Sequence, residues 1–130
     1  MERALILETT FLIDFDRERR TGPTAVFLKE HADFRLFITH TIAGELAAGK
    51  SLSAGEKWQA FIAPFHILPF SEEVDWEYGK AYRFLQANGV MIGANDLWIA
   101  ATALVHDVPL VTRNLDHFRR VPGLNVLPYT

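Results

Sequence analysis

Short apolar runs alternate with helix-periodic segments along this chain, and that alternation restricts its possible folds more than any other feature. The runs are Ala4-Leu5-Ile6-Leu7, Arg35-Leu36-Phe37-Ile38, His66-Ile67-Leu68-Pro69-Phe70 and Val108 to Thr112. Short continuous apolar runs bounded by polar residues are the pattern of strands buried on both faces. Asn125-Val126-Leu127-Pro128 reads as a last edge strand, and Pro69 places its own run at a sheet edge or ends it there. The segments between them carry helical signals. Thr9 or Thr10 caps a helix with Phe11, Leu12 and Phe15 on its apolar side. Thr24 caps a second, which fades by Ala32-Asp33. Ile42 and Leu46 share a stripe on a third. Ser53 and Glu56 have capping-box spacing within a helix from Ser51 to Phe65. Ser71 opens a helix of about four turns that stops at Asn88-Gly89. Leu97, Ala100, Ala101, Leu104 and Val105 recur at helical spacing between Gly93 and His106, and Asn114 to Phe118 is a short turn or helix. Strand–helix alternation of this kind predicts an α/β fold with a central parallel sheet of four to five strands. Helices would flank both faces, joined by right-handed connections.

With 130 residues the chain is expected to form one domain over 1–130. It has no cysteine, which excludes disulfides, thiolate metal sites and cysteine nucleophiles. The start, Met1 to Glu8, turns acidic too soon for a signal peptide, and no apolar run reaches the length of a spanning helix. A cytoplasmic protein with no membrane contact is the expectation. The formal net charge of −3 argues against a general nucleic-acid coat, while leaving room for local basic rims. Arg17, Arg19 and Arg20 form one such cluster, and Arg113, Arg119 and Arg120 another.

In a parallel sheet every strand-to-helix junction opens on the same edge. Four junctions here carry acidic or polar residues: Glu8, Glu45, Asp96, and Asn114 with Asp116. Any one of these acids is explained by its favourable position near a helix N-terminus. Four on one edge are harder to explain that way. Crowded carboxylates repel, and a divalent cation removes the penalty. Oxygen-only ligands favour magnesium, with manganese as a substitute, over zinc. Metal-assisted phosphodiester hydrolysis is the chemistry such a site suits. Thr10 and Thr112 are placed to hydrogen-bond the carboxylates. No glycine-rich phosphate loop and no GxSxG occurs, and His31, His66, His106 and His117 lack metal-ligand spacing. His40 reads as a surface or capping histidine. Trp58, Trp76 and Trp98 are assigned to the core or to a subunit contact.

Several segments in order carry a family resemblance. They are Leu5-Ile6-Leu7-Glu8-Thr9-Thr10, then Thr39 to Leu46 with Glu45, then Asn95-Asp96-Leu97-Trp98-Ile99-Ala100-Ala101. Leu110-Val111-Thr112-Arg113-Asn114-Leu115-Asp116-His117-Phe118 and Val121-Pro122-Gly123-Leu124 complete the set. Together they resemble the PIN-domain ribonucleases, and within them the VapC-type toxins of toxin–antitoxin pairs. The resemblance implies a magnesium-dependent endoribonuclease, neutralised by an antitoxin whose C-terminal segment crosses the active-site groove. It also implies a homodimer. Glu8, Glu45 and Asp96 would fall on the three principal acidic positions, and Asn114 or Asp116 on the variable fourth. Glu8 and Asp96 would hold the metal, and Glu45 would orient water for attack. Asp116 would complete the negative pocket, with Thr10, Thr112 and Asn114 as hydrogen-bonders and Arg113 on substrate. One departure stands out: the first acid is glutamate where the family usually has aspartate. It gives a second reading, a PIN-like module that binds antitoxin or RNA without cleaving.

Overall fold

The computed structural model describes residues 3–19 and 21–130. Five strands form one sheet: β1 (Ala4–Leu7), β2 (Arg35–Thr39), β3 (His66–Leu68), β4 (Leu110–Val111) and β5 (Val126–Leu127). Their order is β3-β2-β1-β4-β5, and every neighbouring pair is parallel. Seven helices are described: α1 (Thr9–Glu18), α2 (Pro23–Glu30), α3 (His40–Ala48), α4 (Gly55–Ile62), α5 (Glu72–Ala87), α6 (Ala94–His106) and α7 (Leu115–Phe118). The predicted parallel α/β architecture is therefore present, with the upper of the two expected strand counts.

β1 lies in the middle of the sheet. Successive residues of a strand point to opposite faces. Leu5, Ile6 and Leu7 are all buried, so both faces are covered. Leu110 and Val111 of β4 are buried in the same way. Each of these side chains contributes roughly 1.5–3 kcal/mol of burial. They leave the central strands fixed in register, with Leu7 beside Val111.

The strand order has a functional consequence. From β1 the chain builds outward through β2 to β3, then returns across the sheet to place β4 on the other side of β1. The succession reverses between β1 and β4, and in open α/β sheets the crevice beyond such a reversal collects ligand-handling residues. Glu8 follows β1 and Thr112 follows β4, so the two flank this crevice.

Several predicted helix starts move. Glu8, extended at φ −73° and ψ 160°, is the residue before α1, and the Thr9 and Thr10 hydroxyls are used elsewhere. α2 begins at Pro23, not under a Thr24 cap. The carboxylate of Glu18, from the preceding helix, accepts from both the backbone N–H and the hydroxyl of Thr24. Ser53 does not cap α4 either. It is helical at φ −73° and ψ −15°, whereas an N-cap needs extended backbone, and its hydroxyl donates to Lys50 O. Ala54, extended, precedes the helix instead, and Lys50–Leu52 is a short 3-10 turn. Two caps do the work their residue types suggest: Thr39 Oγ1 accepts from Ile42 N at α3, and Ser71 Oγ from Val74 N at α5. α5 ends ahead of Gly89, whose φ of +65° suits glycine. No helix among the described residues is long and apolar enough to cross a membrane.

Candidate active site

Three acids, Glu8, Glu45 and Asp96, lie around the end of β1, linked through neighbouring threonine, asparagine and histidine side chains. Glu8 is 3% exposed, a depth that is unusual for a carboxylate. Its Oε1 accepts two hydroxyl protons, from Thr10 at 2.7 Å and from Thr112 at 2.5 Å. The strand register explains the second contact: Leu7 and Val111 are partners, so the next residues, Glu8 and Thr112, stand side by side. Both hydroxyls are directed by backbone. Arg113 N donates to Thr10 Oγ1 at 3.0 Å, and Asn114 N to Thr112 Oγ1 at 2.9 Å. With acceptor positions taken by those N–H groups, each hydroxyl turns its own proton to Glu8. Burial raises the Glu8 pKa, the two threonine hydrogen bonds pull it back, and the charge of Asp96 adds a smaller upward push.

Glu45 joins from α3. Its Oε1 accepts from Thr9 Oγ1 at 2.6 Å, and its Oε2 lies 3.4 Å from Asn95 Nδ2 of α6. The two threonines that open α1 thus divide their labour, Thr9 holding Glu45 and Thr10 holding Glu8. Asp96 lies in the first turn of α6. Its Oδ2 is 3.3 Å from Nδ1 of His117, which in turn is 3.0 Å from the Asn114 side-chain amide. Asn114, just ahead of α7, and His117 within it therefore stand at the start of α6.

The structure brings Glu8, Glu45, Asp96, Thr10, Thr112 and Asn114 into one connected region. It does not place Asp116 there. The Asp116 side chain is 81% exposed and pairs with Arg120 Nη2 at 2.8 Å, one turn along the chain. Arg120 also donates to Met91 O at 3.3 Å, which keeps the pair on the outer side of α7. Asn114 is the residue that reaches the acids, through His117. Arg113 is half-exposed and paired: its Nη1 donates to both carboxylate oxygens of Asp14, at 2.8 and 2.9 Å. Arg20 of the first basic cluster lies outside the described residues.

Sequence reasoning passed over His117, Thr9, Asn95 and Asp14. His117 lies three residues after Asn114, within reach on one helical turn, and that spacing was the available signal. Asp14 sits on α1 far from any strand end and gives no signal in the chain. Trp58 is half-buried and donates its Nε1–H to Ala43 O, so it braces α4 against α3. Trp98 stacks on Tyr78 with centroids 3.9 Å apart, whereas Trp76 is 63% exposed.

The donor set suits a hard cation with limits. Magnesium takes one or two carboxylates and keeps several waters. Glu8 and Asp96 are the carboxylates that would fill that role, and the charge of Asp96 is felt at Glu8. A preformed cage is absent: among the described residues no three His, Asp or Glu side chains are grouped to hold one ion. A groove of about 440 Å³ lined by Phe15, Leu28, Leu36, Phe61 and Phe65, among others, contains none of these acids.

The PIN domain pattern matches residues 5–124. Ribonuclease VapC1 of Rickettsia felis is 32% identical over 132 residues, spanning 95% of this chain and 94% of that protein. Ribonuclease VapC1 of Methanocaldococcus jannaschii is 31% identical over 129 residues, spanning 98% and 88%. Among solved structures, VapBC2 from Rickettsia felis, bound to a DNA fragment from its promoter, superposes with a TM-score of 0.84 at 25% identity. The match covers 98% of this chain and 99% of that one. DNA-bound VapBC from Salmonella typhimurium gives a TM-score of 0.86 with all of both chains covered; at 22% identity it speaks to the fold alone.

Proposed function

This chain belongs to the PIN-domain family, and from that premise we propose that it is a magnesium-dependent endoribonuclease, the toxin of a toxin–antitoxin pair. One observation carries the reading: a buried glutamate, Glu8, held by two threonine hydroxyls beside Asp96 at the point where the strand order reverses. Burying a carboxylate with a second one beside it is costly. A site that gains a cation on working has a use for that cost.

Glu8 and Asp96 would hold the ion. Magnesium bound there supplies charge to screen the phosphodiester and to acidify water. Glu45, half-buried and steadied by Thr9 and Asn95, orients the attacking water and accepts its proton. The water oxygen bonds to phosphorus as the bond to the leaving sugar oxygen breaks, and that oxygen takes a proton from solvent. Thr10 and Thr112 keep the Glu8 carboxylate from turning. His117 does the same for Asp96 in the tautomer that carries its proton on Nδ1. Arg113 offers the N–H groups not spent on Asp14 to a substrate phosphate.

The relatives named above as ribonucleases support RNA as the substrate, and the VapBC structures support an antitoxin partner. The exposed aromatic side chains Trp76 and Phe84, about two turns apart on one side of α5, suit a homodimer contact. A cytoplasmic location fits these assignments. Structured RNA and DNA of matched sequence, each incubated with magnesium or with EDTA, test the activity. RNA cleavage confined to the magnesium arm is expected. The second reading, a module that binds without cleaving, keeps its support from Glu8 itself. It would prevail if neither this protein nor its Glu8→Asp variant cut RNA with magnesium or manganese.

A further inference from the structure

Tyr129 follows β5 and takes no part in the chemistry above, yet its side chain ends in the network that serves it. Its ring is buried at 8% exposure, set edge-on against Phe11 of α1 with centroids 4.8 Å apart. Its hydroxyl donates to Asp14 Oδ2 at 2.5 Å. That same carboxylate takes both hydrogen bonds from Arg113 Nη1. The Arg113 backbone N–H then fixes Thr10 Oγ1, and Thr10 gives its proton to Glu8. A continuous path thus runs from the segment after β5 to the buried acid.

We propose that Tyr129 is a positioning residue for the substrate cation Arg113, acting through Asp14. Asp14 projects from α1, and a carboxylate bonded to one arginine nitrogen alone can rotate about its last torsion. The tyrosine hydroxyl, anchored by a buried ring, fixes that torsion. The guanidinium then has one bearing relative to Glu8, and its remaining N–H groups stay in the crevice. Burial and the neighbouring Asp14 charge raise the Tyr129 pKa above its ordinary value of 10.0, so the hydroxyl remains a donor throughout the neutral range. The proposal rests on the reading of Arg113 as a phosphate contact.

A double-mutant cycle tests it, using Tyr129→Phe, Asp14→Asn and the pair. The phenylalanine keeps the ring against Phe11 and removes the hydroxyl, which donates to Asp14 and also meets Thr10. Two readouts are taken: binding of a fluorescent oligoribonucleotide in EDTA, and cleavage kinetics with magnesium. Tyr129→Phe is expected to weaken binding roughly three- to tenfold and raise KM alike, with kcat little changed, the pattern of lost uniform binding. The pair is expected to match Asp14→Asn alone, since both act at one carboxylate. Wild-type binding by Tyr129→Phe, or losses that simply add in the pair, would overturn the proposal. If Tyr129→Phe also lowers the melting temperature, the cycle still decides, because a general loss of folding adds. Failure of the nuclease reading is separable: the binding arm needs no cleavage, and a parent protein that never cuts RNA leaves that arm intact.

Discussion

Glu8 is the side chain on which stability and activity pull in opposite directions. Its folded pKa is raised above its ordinary value of 4.5, with burial the main cause. The folded state therefore holds this proton more tightly than the unfolded chain. The associated stability is present below pH 4.5 and is lost as pH rises through the folded pKa. Without metal, then, the melting temperature should fall across that interval, and Glu8→Gln should flatten the fall and melt higher than the parent at pH 7. A differential scanning series from pH 4 to pH 8 in EDTA checks this. A Glu8→Gln variant that melts lower than the parent at pH 7 would show that the ionised carboxylate stabilises the metal-free fold. The glutamate in place of the family's usual aspartate also takes on a clearer meaning. Its longer reach is matched by two hydroxyls that seat it, so the departure is built into the local structure.

α3 and α5 are capped alike but serve the site differently. Thr39 caps α3, which carries Glu45, while Ser71 caps α5, which carries none of the acids. Removing either cap should cost about 1 kcal/mol. Urea denaturation of Thr39→Ala and Ser71→Ala should therefore show similar losses, with RNA cleavage reduced only in Thr39→Ala. Equal losses of activity would mean that the site depends on overall rigidity and not on α3. Elements of this kind were readable in the chain where period and boundary agreed. β1 is a bare apolar run, α6 repeats at helical spacing, and Ser71 and Gly89 bracket α5. Where capping depended on backbone angle or on a distant side chain, the pattern misled. Ser53 has the right neighbour in Glu56 and the wrong backbone, and α2 takes its cap from Glu18 in another helix. The same limit governs the site. Strand-to-helix junctions pointed to Glu8 and Glu45, because a parallel sheet puts them on one edge, whereas Asp96 was readable only as an acid at the start of α6, which follows α5 and not a strand. Asp116 and His117 are adjacent in α7 and face different neighbours. Only the packing of α7 on α6 decides which one meets Asp96.

At the level of the assembled protein, the net charge is −3, and Arg113, the cation that follows Thr112, is paired with Asp14. RNA binding should depend on a small number of phosphate contacts. Two such contacts would give a log–log salt slope near −1.4 for single strands, and Arg113→Ala should remove about 0.7 of it. Anisotropy titrations between low and moderate salt measure both, and an unchanged slope in Arg113→Ala would remove that residue from the interface. The homodimer is a separate expectation. Light scattering should return twice the 14.8 kDa chain mass, with Trp76→Ala shifting the balance toward monomer. A monomer at all concentrations would leave the exposed face of α5 without the proposed contact.

Asp96, and not Asp116, belongs to the working centre proposed for this chain. Cleavage of one RNA substrate in magnesium by the parent, Asp96→Asn and Asp116→Asn tests that directly. Asp96→Asn should lose at least about a hundredfold in rate, as expected when a metal-holding carboxylate is removed, while Asp116→Asn should stay within about threefold of the parent. The reverse order, with Asp116→Asn inactive and Asp96→Asn active, would contradict the centre described at the β1–β4 crevice.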